Sequence, residues 1–350
     1  GFALIVLQVP ILKLALTLAG ASDAVNGAVS DYFHVRIFAA PVSLANYAIL
    51  GWLTGLGRTG RARALQVGMN LLNMVLTAAL VLGAGWGVVG AATGTLIAEA
   101  VGTGAGLLLV AQLLGGRLGV PRAVLLDKAR LMEAFTLNRD IMIRTAALMF
   151  AFGFFAAQGA RTGDVTLAAN AVLSNMVMMA AYFLDGFATA AEQLCGQAMG
   201  ARDEGAFSAA VRLVLAWGFG FALAASGLFA VAGGTLTDLM TTSGEVRVAA
   251  RAFLPYAALV PLAGVAAYVY DGIFIGALWS RDMRNLMLAA LALYLLAWLG
   301  LRGFGNGGLW MAFLVFLLAR GGLQAARLPA LRARAFARGP ADAGGPLAAT

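Results

Sequence analysis

Carboxylates interrupt two of the most apolar stretches of the sequence. Asp185 and Glu192 lie in AAYFLDGFATAAEQLCGQAMG (residues 180–200), and Asp271 lies in AAYVYDGIFIGA (residues 266–277). A charged group at the middle of a bilayer costs about 2.5–3.5 kcal/mol on insertion scales, so it faces protein or a wet cavity. Burial raises the pKa of a carboxylic acid, whereas a nearby cation lowers it. Carboxylates in a wet cavity can therefore exchange a proton for a cationic substrate, which is the chemistry of an antiporter.

The residues around Asp185 have the spacing of one helical face. Steps of three and four residues connect Asn175, Met178, Tyr182, Asp185, Thr189, Glu192 and Gly196. Such steps align side chains along one stripe of an α-helix. Asn170 lies near the start of the same apolar stretch. We therefore expect one polar stripe that faces the interior of the protein rather than lipid.

Further candidates lie on other apolar stretches. Arg144, near the start of one of them, can form an ion pair with Asp271 or Asp185, and Glu99 is the corresponding buried acid of the first half. The candidate substrate-binding and proton-binding residues are therefore Asp185, Asp271, Glu192, Arg144, Asn170, Asn175, Tyr182 and Glu99. Alternatives stay open, because an acid can be one arm of a structural ion pair and Glu192 can be a solvated residue at a helix end. The asparagines and the tyrosine can equally be hydrogen-bonding contacts between helices.

The composition is that of a membrane protein. Of the 350 residues 61% are hydrophobic and 11% are charged, with a mean hydropathy of +0.87, whereas soluble domains average about 45–50% and about 25%. Cys195 and His34 are the only residues of their types, which excludes an internal disulfide and multi-histidine metal sites. The sequence shows no nucleophile–base pair and no metal-ligand cluster, so we expect neither an enzyme nor a metal site. The net charge of +8 arises in loops between apolar stretches, so we expect no nucleic-acid partner.

Apolar stretches long enough to cross a bilayer recur along the chain. A transmembrane helix needs about 20 mostly apolar residues. We predict an all-α membrane protein with ten spans, at roughly 1–20, 27–56, 64–83, 87–114, 141–160, 164–198, 207–232, 246–277, 285–301 and 307–326. Basic residues concentrate in alternate loops, beginning with Arg58 and ending with a C-terminal group from Arg320 to Arg338. The positive-inside rule places these loops and the C-terminus in the cytoplasm.

Two parts of the chain share a sequence pattern. GWLTGLGRTGRARAL (residues 51–65) aligns with GIFIGALWSRDMRNL (residues 272–286). Repeated halves are common in transporters, and the ligand site lies between or within them. We predict an N-terminal lobe of four helices at 1–115, an interfacial linker at 116–138, a C-terminal lobe of six helices at 139–332 and a disordered tail at 333–350. The unequal halves predict that ten helices of an expected twelve are present, with two more before residue 1.

Several segments resemble one family of transporters. The likeness covers residues 1 to about 330 and is most specific in NRDIMIRTAALMFAFGFFAAQGARTGDVTLAANAVL, YFLDGFATAAEQLCGQAMGA, YDGIFIGALWSRDMRN and GNGGLWMAFLVFLLARG. These segments resemble the multidrug and toxic compound extrusion (MATE) transporters, in the branch of the DNA-damage-inducible protein F type. The resemblance implies two six-helix lobes around a central cavity, and a monomer of the bacterial inner membrane.

The resemblance also implies a mechanism. By alternating access, such a transporter exports cationic or amphipathic small molecules in exchange for H⁺ or Na⁺ and needs no other cofactor. Asp271 matches in position an acid on the tenth helix of the family, which other branches use in cation binding. Where those branches carry a glutamate early in the seventh helix, this chain has the region of Arg144. That departure favours H⁺ over Na⁺ as the coupling ion.

Two other functions stay open at this point. A lipid-linked oligosaccharide flippase of the same superfamily would need a basic cavity for its anionic pyrophosphate, whereas the charged residues expected to be buried are mainly acidic. A truncated, non-transporting membrane protein would keep its fold and its role without Asp185 and Asp271. Substitutions that remove these charges distinguish such a protein from an exporter.

Overall fold

The structure, a computed structural model, describes residues 2–19, 23–116 and 127–337, and its secondary structure in these ranges is entirely helical. In chain order the α-helices are α1 (Phe2–Val6), α2 (Gln8–Ala19), α3 (Asp23–Arg36), α4 (Ala40–Gly55), α5 (Thr59–Ala78), α6 (Gly87–Leu113), α7 (Lys128–Ala160), α8 (Asp164–Gly200), α9 (Glu204–Met240), α10 (Gly244–Gly276), α11 (Ser280–Leu301) and α12 (Gly305–Phe336). Short 3₁₀ turns join α3 to α4 (Ile37–Ala39) and α11 to α12 (Arg302–Phe304), and a π-helical turn extends α5 (Ala79–Gly83). The predicted all-α class is confirmed.

Eight segments within the described ranges are long and apolar enough to cross a membrane. They are Asn26–Gly55, Thr59–Gly83, Gly87–Leu113, Leu131–Ala160, Asp164–Gly200, Glu204–Met240, Gly244–Gly276 and Ser280–Phe336. The last segment contains both α11 and α12, which the sequence predicted as separate spans. The first predicted span, roughly 1–20, is instead the short pair α1 and α2. Pro10 explains the break after Val6, because proline has no N–H to donate to the carbonyl four residues before it.

Local capping signals fix where the long helices begin. The side chain of Asp203 accepts a hydrogen bond of 2.8 Å from the backbone N–H of Ala206 at the start of α9. Ser243 caps α10 in the same way by accepting from the N–H of Val246 at 3.5 Å. Gly163, between α7 and α8, has a φ of 107°, which residues with a side chain rarely adopt. These starting points set the register of the side chains along α8, α9 and α10.

The chain divides into two compact units, Gly1–Leu125 and Leu126–Thr350. In the N-terminal unit α6 packs against α3, α4 and α5. The buried face of α6 consists of small residues, namely Gly90, Ala92, Gly94, Ala98, Gly102 and Gly106. Small residues let helix backbones approach each other closely, which is the usual way in which membrane helices gain packing contacts.

The C-terminal unit has a core rich in aromatic side chains. Trp310 and Tyr294 are fully buried, and Phe155 meets the indole of Trp310 edge to face with ring centroids 4.8 Å apart. Such edge-to-face pairs contribute about 0.5–1.5 kcal/mol beyond their buried area. These contacts join α7, α11 and α12 into one packed group.

The predicted linker and tail lie partly outside the described residues. Of the linker at 116–138, residues 117–126 lie outside, and the rest from Lys128 onwards forms the first turns of α7. α7 then continues without a break through the predicted start of the fifth span at 141. At the other end α12 continues to Phe336, into the tail predicted at 333–350, and residues 338–350 of that tail lie outside the described residues.

A very close backbone contact of the C-terminal unit lies between α8 and α10. A Cβ atom added to Gly272 would lie 2.0 Å from the carbonyl oxygen of Ala188, and one added to Gly276 would lie 2.3 Å from the carbonyl oxygen of Glu192. No side chain fits at either glycine, so the two backbones touch directly. This contact places Asp271 beside the predicted polar stripe of α8.

The glycines that align with this pair have a different environment. Gly51 and Gly55 lie on α4 at the positions that match Gly272 and Gly276 in the sequence alignment. A Cβ atom added at either position would meet no atom within 4 Å among the described residues. The two aligned segments therefore share a sequence pattern, but of these four aligned glycines only the two of α10 make a close helix–helix contact among the described residues.

Candidate functional site

A cavity of about 360 Å³ lies within the C-terminal unit among α7, α8, α10 and α12. Its lining consists of Arg144, Leu148, Phe152, Asp185, Ala188, Thr189, Glu192, Tyr268, Asp271, Gly272, Ile275 and Arg320. Four of the predicted site residues, Arg144, Asp185, Glu192 and Asp271, therefore meet at one cavity. The cavity is within the range of volumes that bind small molecules.

Asp271 is the most extensively bonded residue of this cavity. Its Oδ2 accepts hydrogen bonds from Nη1 of Arg144 (2.8 Å) and from Nη2 of Arg320 (2.7 Å). Its Oδ1 accepts a hydrogen bond of 2.7 Å from Nε2 of Gln324. Of the two pairings that the sequence left open for Arg144, the structure contains the one with Asp271. Both carboxylate oxygens are thus held by donors, as a buried charge requires.

Arg320 is a site residue that the sequence analysis did not identify. It was assigned to the basic cytoplasmic group at the C-terminus, but it lies within α12 and its side chain is 4% exposed. α12 has 32 residues, more than a span requires, so the first basic residue of that group lies inside the helix bundle. Its guanidinium carbon lies 5.5 Å from the ring centroid of Phe316 and 6.0 Å from that of Tyr268.

Gln324 was missed together with Arg320. The two residues are four positions apart and therefore share one face of α12. That spacing was the only local signal, because Asp271, which both contact, precedes them by 49 and 53 residues. The lining contains Arg144 and Arg320 in addition to the acids, so the cavity carries charges of both signs rather than mainly acidic groups.

Asp185 and Glu192 differ from Asp271 in their surroundings. Both line the cavity, and both are exposed rather than buried. Within residues 2–19, 23–116 and 127–337, neither carboxylate takes part in a hydrogen bond or an ion pair; the hydroxyl of Thr189 donates to the backbone carbonyl of Asp185 (2.9 Å). These two carboxylates therefore keep their oxygens available to a ligand or a proton.

The predicted stripe on α8 coincides with the face that the unit leaves open. Its members Asn175, Met178, Tyr182, Asp185, Thr189 and Glu192 are exposed, whereas the residues between them, such as Met176 and Leu184, are buried. Helical spacing predicts this division, since both sets repeat every three or four positions. Asn175 and Tyr182 lie on the stripe but outside the lining of the cavity. Their part in ligand binding stays a prediction.

Asn170 lies in a buried contact between helices and not at the cavity. Its side-chain amide exchanges two hydrogen bonds with that of Asn306, at 2.8 and 2.9 Å. Nε1 of Trp310 donates a third hydrogen bond, of 2.9 Å, to Oδ1 of Asn170. Asn170 is 3% exposed and connects α8 to α12, which is the interhelical alternative that the sequence left open. Its partner follows 136 residues later, so no local pattern could have identified it.

Glu99 lies in the N-terminal unit and forms an ion pair. Nη1 and Nη2 of Arg36 donate to its two carboxylate oxygens, at 2.9 and 2.5 Å, and the hydroxyl of Ser43 also donates to it. Nδ2 of Asn46 donates to its backbone carbonyl at 3.0 Å. This arrangement connects α3, α4 and α6 and corresponds to the structural alternative for Glu99. Arg36 was not among the predicted residues.

Membrane-length helices around a cavity lined by acids and arginines define a polytopic membrane protein. The particular family follows from comparison with known proteins. Residues 141–298 match the MatE family. DNA damage-inducible protein F of Escherichia coli K12 is 38% identical over 323 residues, which span 92% of this chain and 70% of that protein. The chain therefore belongs to the MATE family, whose members are efflux transporters of the bacterial inner membrane and not enzymes.

Solved structures agree with this fold. A mutant of the Vibrio cholerae MATE transporter VcmN superimposes with a TM-score of 0.84 at 22% identity, over 96% of this chain and 76% of that one. The bent form of VcmN gives a TM-score of 0.83 over the same shares of the two chains. A MATE structure in the straight conformation gives 0.82 at 16% identity, over 95% of this chain and 76% of that one. At these identities the likeness shows the fold alone.

Proposed function

We propose that the protein is a secondary active antiporter that exports cationic or amphipathic compounds in exchange for H⁺ or Na⁺ by alternating access. The cavity of the C-terminal unit is the binding site in this proposal. One observation carries it: Asp185 and Glu192 line a cavity of about 360 Å³, and within the described residues their carboxylates accept no hydrogen bond and form no direct ion pair. Ionisable groups within membrane spans are costly and mark substrate and ion pathways.

The carboxylates have different roles in this proposal. Asp271 is an anchor, because Arg144, Arg320 and Gln324 already occupy both of its oxygens. Asp185 and Glu192 bind either a proton or the positively charged part of the substrate. A cation and a proton then compete for the same carboxylate oxygens, so binding of the cation releases the proton and binding of the proton releases the cation. Alternating access converts this competition into exchange across the membrane.

The architecture in this proposal has ten membrane helices in two lobes related by a pseudo-repeat. α11 and α12 count as separate spans, and α1 with α2 as a broken one. A cytoplasmic C-terminus agrees with Arg327, Arg332 and Arg334 near the end of α12. The resemblance to MATE transporters implies a monomer in the lipid bilayer that needs no cofactor beyond the coupling ion, and we propose the same for this chain.

Proton release on binding tests this function. A cationic dye added to the purified chain in weakly buffered detergent should release protons that a pH indicator detects. The double variant Asp185→Asn, Glu192→Gln should release none and should bind the dye at least about tenfold more weakly, which corresponds to the loss of about 1.4 kcal/mol. Glu133→Gln, which removes an exposed acid of α7 outside the cavity, is the matched control.

Two results would contradict the proposal. One is dye binding that releases no protons from the wild-type chain. The other is a double variant that folds, as shown by its elution volume and melting temperature, and still binds the dye with wild-type affinity. The second result would also favour a non-transporting role for these acids.

A further inference from the structure

Two arginines share one buried carboxylate where α7 meets α11. Oδ1 of Asp140 accepts hydrogen bonds from Nη1 of Arg284 at 2.5 Å and from Nη2 of Arg139 at 3.1 Å. The side chain of Asp140 is 1% exposed, whereas that of Arg139 is 51% exposed and that of Arg284 is 17% exposed. The carboxylate therefore lies inside the helix pair, and the two guanidinium groups lie closer to the surface.

The charged residues around this pair of arginines leave its outer side positive. Arg281 lies one turn before Arg284 on α11 and is exposed. Asp282, the acid between them, already forms an ion pair of 2.8 Å with an arginine of α12. On α7, Glu133 lies six positions before Arg139, and this spacing puts the two side chains on different faces of the helix. Neither acid is therefore placed to neutralise the outer side of the pair.

The two guanidinium groups are held in place and still have donors to offer. Nε and Nη2 of Arg284 donate to Oδ1 of Asn285, at 3.0 and 2.8 Å, which fixes the plane of this group. Arg139 donates to Asp140 through Nε and Nη2, whereas its Nη1 atom donates no hydrogen bond within the described ranges. The planar fork of an arginine matches the oxygens of a phosphate. Groups that are already ordered lose less conformational freedom when they bind.

The two arginines lie level with each other at the edge of the apolar spans. The spans predicted from the sequence begin at roughly 141 and 285, each directly after one of the two arginines. Further along, the ring of Phe154 meets that of Trp298 with centroids 5.1 Å apart. Phe154 follows Arg139 by 15 positions and Trp298 follows Arg284 by 14, so the two helices run side by side in the same direction. Basic residues at this level of a bilayer attract the headgroups of anionic lipids.

Apolar side chains continue from the arginines along both helices. Ile143 and Phe150 follow Arg139 by four and eleven positions and are 37% and 53% exposed. Leu288 follows Arg284 by four positions and is 43% exposed. Such spacings keep side chains on one face of a helix. The distance from Arg139 to Phe150 is about 16 Å along the axis, close to half of a hydrocarbon core of about 30 Å, which is the depth of one leaflet.

We propose that this surface between α7 and α11 binds an anionic phospholipid. The phosphate contacts Arg139 and Arg284, which Asp140 holds in position, and an acyl chain lies against Ile143 and Leu288. A zwitterionic lipid binds less tightly, because its ammonium group brings a positive charge towards the arginines. Neither arginine lines the cavity of the C-terminal unit, so this site is independent of the proposed function.

Native mass spectrometry of the whole chain, released from detergent micelles, tests the proposal. Dioleoyl phosphatidylglycerol is the anionic probe, and dioleoyl phosphatidylcholine is the zwitterionic reference with the same acyl chains. The apparent dissociation constant of the first bound lipid should be at least about tenfold lower for phosphatidylglycerol, the size of one charge-assisted contact. Equal constants for the two lipids overturn the proposal. Glycerol phosphate that binds as tightly as phosphatidylglycerol would show a site for soluble anions and would overturn the assignment to a lipid.

Variants locate the preference in the structure. Arg139→Gln removes the exposed arginine and keeps the ion pair of Asp140 with Arg284, so the fold should persist. It should reduce the preference for phosphatidylglycerol to less than about threefold and leave the constant for phosphatidylcholine unchanged. Arg212→Gln, which removes an exposed arginine of α9, is the matched control and should keep the wild-type preference. If Arg139→Gln has the wild-type elution volume and melting temperature and keeps the full preference, the proposal is wrong.

Discussion

Replacement of Gly272 by alanine tests the backbone contact that places Asp271 beside α8. The added Cβ atom would lie 2.0 Å from the carbonyl oxygen of Ala188, whereas contacts closer than 3.0 Å essentially never occur for real Cβ atoms. The contacting atom belongs to the backbone and cannot rotate away. α8 and α10 must therefore separate by about 1 Å, in an interior that is packed without room for such a shift.

The magnitude follows from two opposing contributions. Overpacking of this kind costs about 1–3 kcal/mol. Alanine in place of glycine within a helix stabilises the fold by about 1 kcal/mol, because alanine has the higher helix propensity. Because the clash is with backbone atoms, we take the upper end of the overpacking range and expect a net loss of about 2 kcal/mol of stability, together with weaker dye binding, because the separation displaces Asp271 from the α8 carboxylates.

The assay is thermal unfolding of the purified variants in one detergent, followed by intrinsic fluorescence. Gly264→Ala is a control on the same helix, since its Cβ atom would lie 3.5 Å from the nearest atom, a ring carbon of Tyr268. Gly264→Ala should melt at or above the wild-type temperature, and Gly272→Ala should melt below it. Equal melting temperatures for Gly272→Ala and the wild type would refute the contact. An equal loss in both variants would show that any added methyl group on α10 is harmful.

Two further substitutions test the buried polar contacts by the same melting assay. Asn170→Ala leaves the amide of Asn306 without its partner and should cost about 1–3 kcal/mol, whereas the exposed Asn175→Ala should change stability by no more than about 0.5 kcal/mol. Asp271→Asn leaves two buried guanidinium groups without an anion and should cost about 3–5 kcal/mol. Adding Arg320→Gln should restore part of that loss, and an additive loss would contradict the ion pair.

Local spacing in the sequence was sufficient to predict the polar stripe of α8. The face of a helix depends only on residues three and four positions apart, so Asp185 and Glu192 could be placed on one side without knowledge of any partner. The same reasoning gave the length and position of most membrane segments, because hydropathy is also a local property. The break between α1 and α2 depends on Pro10, which lies within the predicted first span at roughly 1–20.

Partners distant in sequence could not be predicted. In the sequence Asn170 is only a polar residue within the apolar stretch of α8. Its hydrogen bonds with Asn306 and Trp310 of α12 become apparent only in the folded structure. Arg320 follows the same pattern: its neighbours in sequence suggested a cytoplasmic arginine, and only the packing of α12 against α10 shows its contact with Asp271. In both residues the tertiary contact, and not the local composition, decides the environment.

The hydrogen bonds of Asp271 have a mechanical consequence for any cycle of conformational change. They connect α7 through Arg144, α10 through Asp271 itself, and α12 through Arg320 and Gln324. Pulling one of these three helices away would leave an ion stranded in an apolar surrounding, at a cost of several kcal/mol. The three helices must therefore travel as one rigid block. α9 contacts α10 through apolar side chains, among them Val214 and Val269. Packed helices can slide past each other by small amounts, so we expect the hinges of the C-terminal unit at the edges of this block.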